Sequence, residues 1–224
     1  MSSARDNILG RVRQALGKRE RDAAGLAAAE AAITAHVQGP RPALPGDLVQ
    51  RFMRRAQDMQ SSVERVAEDR QIPAAVRRYL DGLQQPRTAP PAKWVAGVCW
   101  PEWAQLDWRG AGLAIEARPT AGDDRIGITG VFCAIAETGT MVILAGSHTP
   151  TATALLPETH VAVVRASRIV AGMEEAFALI RRERGELPRA VNLISGPSRT
   201  GDIEQTIVLG AHGPFRVHVI VVDR

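Results

Sequence analysis

The sequence predicts an open, mostly parallel α/β sheet with flanking helices, preceded by an N-terminal helical arm. Three observations carry this. From residue 47 onward, short β-branched runs alternate with stretches whose apolar residues recur at helical spacing, the pattern of strand–helix–strand units. The segment Gly39-Pro-Arg-Pro-Ala-Leu-Pro-Gly46 holds three prolines in eight residues and reads as a linker between that series and an Ala-rich stretch. Only nine of the 224 residues are aromatic, so the core must rest on Val, Ile, Leu and Ala.

Taken in order, residues 2–16 place Ile8, Leu9, Val12, Ala15 and Leu16 on one helical face, with Ser2 or Ser3 as N-cap and Gly17 as terminator. Residues 20–37 are Ala-rich and end at Gly39-Pro40. Residues 1–38 therefore form an arm with few large apolar groups, and residues 47–224 form the main domain. Asp47 can cap a helix that turns Leu48, Phe52, Ala56 and Met59 inward. A short strand near 62–66 and a helix over 73–83 follow, the latter with Pro at its start. Residues 86–91 form a second break and 93–98 a buried strand, after which Trp100, Trp103 and Trp108 cluster as a packed edge. Residues 113–117 read as a strand, and Asp123 or Asp124 as the cap of a short helix reaching toward Thr129. Residues 133–144 read as strand, tight turn at Gly139, strand. The remaining pattern is a helical turn over 151–156, strands at 160–164 and 190–194, a helix over 172–184, and strands at 206–209 and 215–222.

Composition excludes several classes of protein. The net charge is only +4, and 26 of the 28 basic residues are arginines, which account for the high isoelectric point. The groups Arg51/Arg54/Arg55, Arg77/Arg78 and Arg181/Arg182/Arg184 fall in helical stretches beside acidic residues and read as solvated faces. Without interleaved aromatics or a reader motif they do not make a nucleic-acid stripe. Cys99 and Cys133 lack a second ligand at metal spacing, so two buried, reduced thiols are expected, and no cofactor within this chain. No apolar run reaches the roughly 20 residues of a membrane span, and the N-terminus lacks an apolar signal segment. A cytoplasmic protein is expected.

The chemistry-bearing residues gather in three turns. Glu137 lies in Ala-Glu-Thr-Gly-Thr between two apolar runs. There a carboxylate can act as base or nucleophile if burial tunes it, with Thr138, Gly139 and Thr140 shaping the turn around a substrate. It can equally be a turn-stabilising Glu. The segment Ser195-Gly-Pro-Ser-Arg-Thr-Gly-Asp-Ile-Glu204 has the makings of an anion cradle. Gly196 permits close backbone approach, Ser198, Arg199 and Thr200 offer donors, and Asp202 completes the loop. It has neither the ending of a Walker loop nor a dinucleotide fingerprint. Its structural alternative pairs Arg199 with Asp202 or Glu204. His212, in Gly210-Ala-His-Gly-Pro214, is a candidate acid–base group. His148 is a second candidate, and His36, His160 and His218 read as structural. No hydrolase triad can be argued from spacing.

These motifs, together with Leu155-Leu-Pro-Glu-Thr-His160, resemble those of the lactate-utilization protein C family (the LUD domain) over roughly residues 47–224. Gly201 stands where Ala is more usual and Ala211 where Val is common, both mild departures. The resemblance implies a fold similar to the sugar-phosphate isomerase and CoA-transferase superfamily. It also implies a role in oxidising L-lactate to pyruvate alongside partner proteins that carry iron–sulfur clusters, as part of an L-lactate dehydrogenase complex. It brings no established catalytic residues, so the roles given to Glu137, Arg199 and His212 rest on the residues themselves. Three readings stay open: a subunit binding a small carboxylate or anionic cofactor group, an acyl or CoA transferase with Glu137 as nucleophile, and a non-catalytic assembly module whose arm docks partners.

Overall fold

In the computed structural model, residues 3–17, 22–83, 95–201 and 207–224 are described. They fall into two compact units, one up to residue 43 and one from residue 44 onward. The first unit holds α1 (Ala4–Ala15) and α2 (Ala23–Ala35). Ser3 and Asp6 form a reciprocal capping box at the start of α1, and Asp22 caps α2 through the Gly25 amide. Neither helix has a buried residue.

The second unit is built on a six-stranded, wholly parallel sheet with strand order β1-β12-β7-β4-β2-β3. Its strands are β1 (Ser62–Val66), β2 (Ala96–Cys99), β3 (Ala114–Ala117), β4 (Ile126–Gly130), β7 (Thr159–Arg165) and β12 (Arg216–Val222). The central strands β12, β7 and β4 are buried along nearly their whole length. That explains their near-continuous Val and Ile runs, because helices cover both faces of a parallel sheet. Among the described residues, three helices longer than a turn pack in this unit: α3 (Leu48–Asp58), α4 (Ile72–Asp81) and α6 (Met173–Arg184), with the short α5 (Ala152–Leu155) against β4 and β7. Asp47 caps α3 by accepting from the Val49 amide at 2.8 Å, and Phe52 and Ala56 turn inward as the spacing predicts. Met59 instead follows the end of that helix, half-buried.

A second, four-stranded sheet has the order β8-β5-β6-β9, from β5 (Cys133–Ile135), β6 (Thr140–Leu144), β8 (Ile169–Val170) and β9 (Val191–Ile194). It has its own small core against α6, made by Cys133, Ile135, Val142, Ala176, Leu179 and Ile180. A two-stranded hairpin, β10 (Arg199–Thr200) with β11 (Val208–Leu209), completes the fold. The division into two sheets was not foreseen. Nor was β4, where the sequence predicts a helix capped by Asp123 or Asp124. The Asp124 carboxylate is spent within the preceding loop, on Arg118, the Thr120 hydroxyl and the Ala121 amide. Ile126 and Ile128 are then free to enter the centre of the sheet. The break expected at 86–91 lies outside the described residues. Among those residues, no helix is long and apolar enough to cross a membrane.

Candidate functional site

Both signature turns pack against the C-terminal end of α3. Gly139 has φ +71°, and a Cβ there would lie 2.5 Å from the Ala56 amide nitrogen. Gly196 has φ +79°, and a Cβ there would overlap the Met59 carbonyl oxygen. Each position therefore needs glycine twice over, for the left-handed backbone and for the close approach. The turns are also joined directly. Thr138 Oγ1 lies 2.6 Å from Thr140 Oγ1, which lies 2.7 Å from Ser195 Oγ. The Thr140–Ser195 pair follows from the antiparallel register of β6 with β9, in which Met141 faces Ile194.

The third turn is tied on through Ser198. Its amide donates to Pro214 O at 2.9 Å, its carbonyl accepts from the Gly210 amide at 2.9 Å, and its hydroxyl accepts from the His212 amide at 3.3 Å. Arg199 and Thr200 stand beside this knot on β10, opposite Leu209 and Val208. Arg199 is exposed and makes one long bond, 3.4 Å, to the Met59 carbonyl. Among the described residues it has no ion-pair partner. His212 is exposed. Asp202 and Glu204 lie outside the described residues, so the pairing of Arg199 with either falls there too.

Glu137 is half-buried and held by its backbone: its amide donates to Ala171 O at 3.0 Å, and its carbonyl accepts from Arg55 Nε at 3.2 Å. Its carboxylate approaches Gly172 at the N-terminal end of α6, where those of Glu174 and Glu175 also gather. Among the described residues, no hydrogen bond or ion pair joins Glu137 to Arg199 or His212. Two of the turns thus pack on α3 and the third is tied to them through Ser198, with the Glu137 carboxylate directed at α6.

A different set of groups lies at the C-terminal edge of the parallel sheet. After β2 the chain moves outward to β3, then returns to β4 on the other side of β2 and continues to β7 and β12. The topological switch point is therefore between β2 and β4, where open α/β sheets form their ligand crevice. A cleft of about 170 Å³ opens there, lined among others by Trp100, Glu102, Phe132, Arg165 and Arg184. The Glu102 carboxylate lies against the Gly130 backbone, where a side chain would collide with it. Burial raises the Glu102 pKa above the usual carboxylate value, with the charge of Arg165 and the Gly130 amide opposing the rise. The buried indole N–H of Trp103 approaches Glu102 without reaching good hydrogen-bond geometry. Arg165 itself is held by both carboxylate oxygens of Asp69 and stacks 5.5 Å from the Trp103 ring. His148, on the loop after β6, lines the neighbouring hollows.

The sequence gives Glu102 and Arg184 no role: the tryptophans read as a packed edge and the α6 arginines as a solvated face, and Arg182 and Arg184 are indeed exposed, Arg184 also lining the cleft. Trp103 and Trp108 are indeed buried, joined by an indole bond from Trp108 Nε1 to Trp103 O at 2.9 Å. The available signal was a carboxylate set between two tryptophans just past an apolar strand. Cys99 and Cys133 are buried free thiols, each pushed up to about 11 by burial.

A wholly parallel six-stranded sheet with flanking helices, carrying a second four-stranded sheet, defines an open-sheet α/β protein. The LUD domain family model matches residues 101–222, more than half of the chain, and the chain belongs to that family. It is similar to lactate utilization protein C of Shouchella clausii, 40% identical over 100 residues, covering 44% of each chain. It is also similar to lactate utilization protein C 1 of Bacillus mycoides, 43% identical over 105 residues, covering 44% of this chain and 43% of that one. The protein of Bacillus licheniformis is 34% identical over 128 residues, covering 55% and 53%. The matches thus span about half the length of these relatives or less. Among solved structures, a DUF162 family protein from Deinococcus radiodurans superposes with TM-score 0.55 at 23% identity, over 81% of this chain and 99% of that one. That likeness supports the fold.

Proposed function

We propose that this protein takes part in lactate utilization as a subunit that binds a small carboxylate or the anionic group of a cofactor, and acts with iron–sulfur partner proteins. The names of its relatives support the lactate role. The observation that supports anion binding is the hairpin knot: Ser198 fixes both signature loops, leaving the Arg199 guanidinium and His212 exposed on one rigid support. A guanidinium with a fixed base and no carboxylate partner among the described residues is suited to bidentate recognition of a carboxylate or phosphate.

The test is complementation of a strain lacking its own copy, grown on L-lactate. Arg199→Ala is expected to abolish growth while the purified variant melts like the wild type, because the side chain packs on nothing buried. Wild-type growth in that variant would remove the loop from function. Co-purification with the iron–sulfur proteins tests the partners.

A further inference from the structure

We propose that the cleft at the β2/β4 switch point is a binding site for a short hydroxycarboxylic acid, with its carboxylate on Arg184 and its hydroxyl on Glu102. Of the guanidiniums lining this cleft, Arg165 is held by Asp69; nearby, Arg168 is held by Glu183 through bonds of 2.6 and 2.9 Å. Arg184 has no ion-pair partner among the described residues; it lies 5.7 Å from the Phe132 ring, which the Arg168 guanidinium also approaches, at 4.6 Å. The ring and the end of α6 thus hold at the cleft wall a cation that no carboxylate bonds among the described residues, its charge acting on the neighbouring Glu183 only through space, and such a cation favours an anion.

The cleft also asks for a donor. The Glu102 carboxylate lines it, beside the Gly130 backbone, and a carboxylate there can accept from a hydroxyl. Val131, Leu144 and Val163 complete an apolar floor, and a space of about 170 Å³ suits a molecule of a few heavy atoms rather than a nucleotide. The site is separate from the Arg199 loop. It draws on the lactate-utilization reading only for the choice of first probe.

The experiment is calorimetric titration of the full chain with L-lactate, glycolate and propionate, using wild type, Arg184→Gln, Glu102→Gln and Arg199→Ala, each checked for folding by thermal melting. Arg184→Gln is expected to weaken every acid by about tenfold or more, since a charge-assisted contact is lost. Glu102→Gln is expected to weaken the hydroxy acids but not propionate, a split that a merely structural role would not produce. Glycolate binding without L-lactate binding, with the same dependence on the variants, supports the cleft and counts against lactate as its occupant. Absence of binding by all three acids overturns the proposal. So does binding that is insensitive to both cleft variants and lost in Arg199→Ala, which would place the acid on the loop instead.

Discussion

His160 and His218 stand on the neighbouring strands β7 and β12, both almost fully buried. His160 Nε2 lies 2.8 Å from the Thr129 hydroxyl, while His218 Nδ1 lies 2.9 Å from the Ser62 hydroxyl and its ring stacks on Tyr79 at 4.1 Å. Burial lowers the pKa of each from 6.5 to about 4. The unfolded chain therefore takes up protons below pH 6.5 that the folded chain refuses until about pH 4. Stability is full above that window and falls as pH drops through it, by at most about 3 kcal/mol per histidine. Glu102 acts in the opposite sense, because its raised pKa makes the folded state lose stability as pH rises. Urea unfolding between pH 7 and 4 should show a falling midpoint, and His160→Gln should flatten that dependence by about half. An unchanged pH profile in the variant would mean that His160 is not held neutral. The structural role of these histidines was legible because each sits within an apolar run. Glu102 was not, because its carboxylate lies against Gly130, 28 positions away in sequence, and no local pattern reports such a contact.

Elements were legible in proportion to their length and independence. Helices α3, α4 and α6 follow from caps and spacing, and β1, β7 and β12 from apolar runs within a residue or two. The two-residue strands β8 and β10 are too short to show a period, and β4 carries two glycines that break its strand pattern. The antiparallel second sheet depends on long-range pairing, which no local signal specifies. The signature turns had a legible need for glycine but an illegible reason. Gly139 and Gly196 serve the seating of two loops on α3, so the motif is at least partly a packing device. Gly139→Ala and Gly196→Ala should each cost about 2–4 kcal/mol, from left-handed strain and collision with the α3 backbone. Gly201→Ala, where a Cβ meets nothing, should change stability by no more than about 0.5 kcal/mol. Urea unfolding of the three variants separates these outcomes, and a Gly201→Ala loss as large as the others would defeat the packing account.

At the scale of the whole molecule, the two units differ in what stabilises them. From residue 44 onward, buried Ile, Val and Phe side chains such as Phe52, Ile72, Ile128 and Ile220 supply the core, each contributing about 1.5–3 kcal/mol of transfer free energy. Helices α1 and α2, of 12 and 13 residues, bury nothing and leave Ile8, Leu16, Leu26 and Ile33 more than half exposed. Isolated helices of that length are marginal in water, so their caps alone hold them weakly. A chain of residues 44–224 should therefore unfold cooperatively with a midpoint within about 3 °C of the full protein, the shift expected for no more than about 1 kcal/mol in a domain of this size. It should also keep the titration behaviour of the strand-end cleft, all of whose lining belongs to that unit. Calorimetric melting and L-lactate titration of the truncated chain check both. A larger fall in midpoint would show that the arm contributes to the core. An unchanged midpoint joined to lost co-purification with iron–sulfur proteins would instead assign its exposed apolar residues to partners, because the arm would then matter to assembly and not to folding.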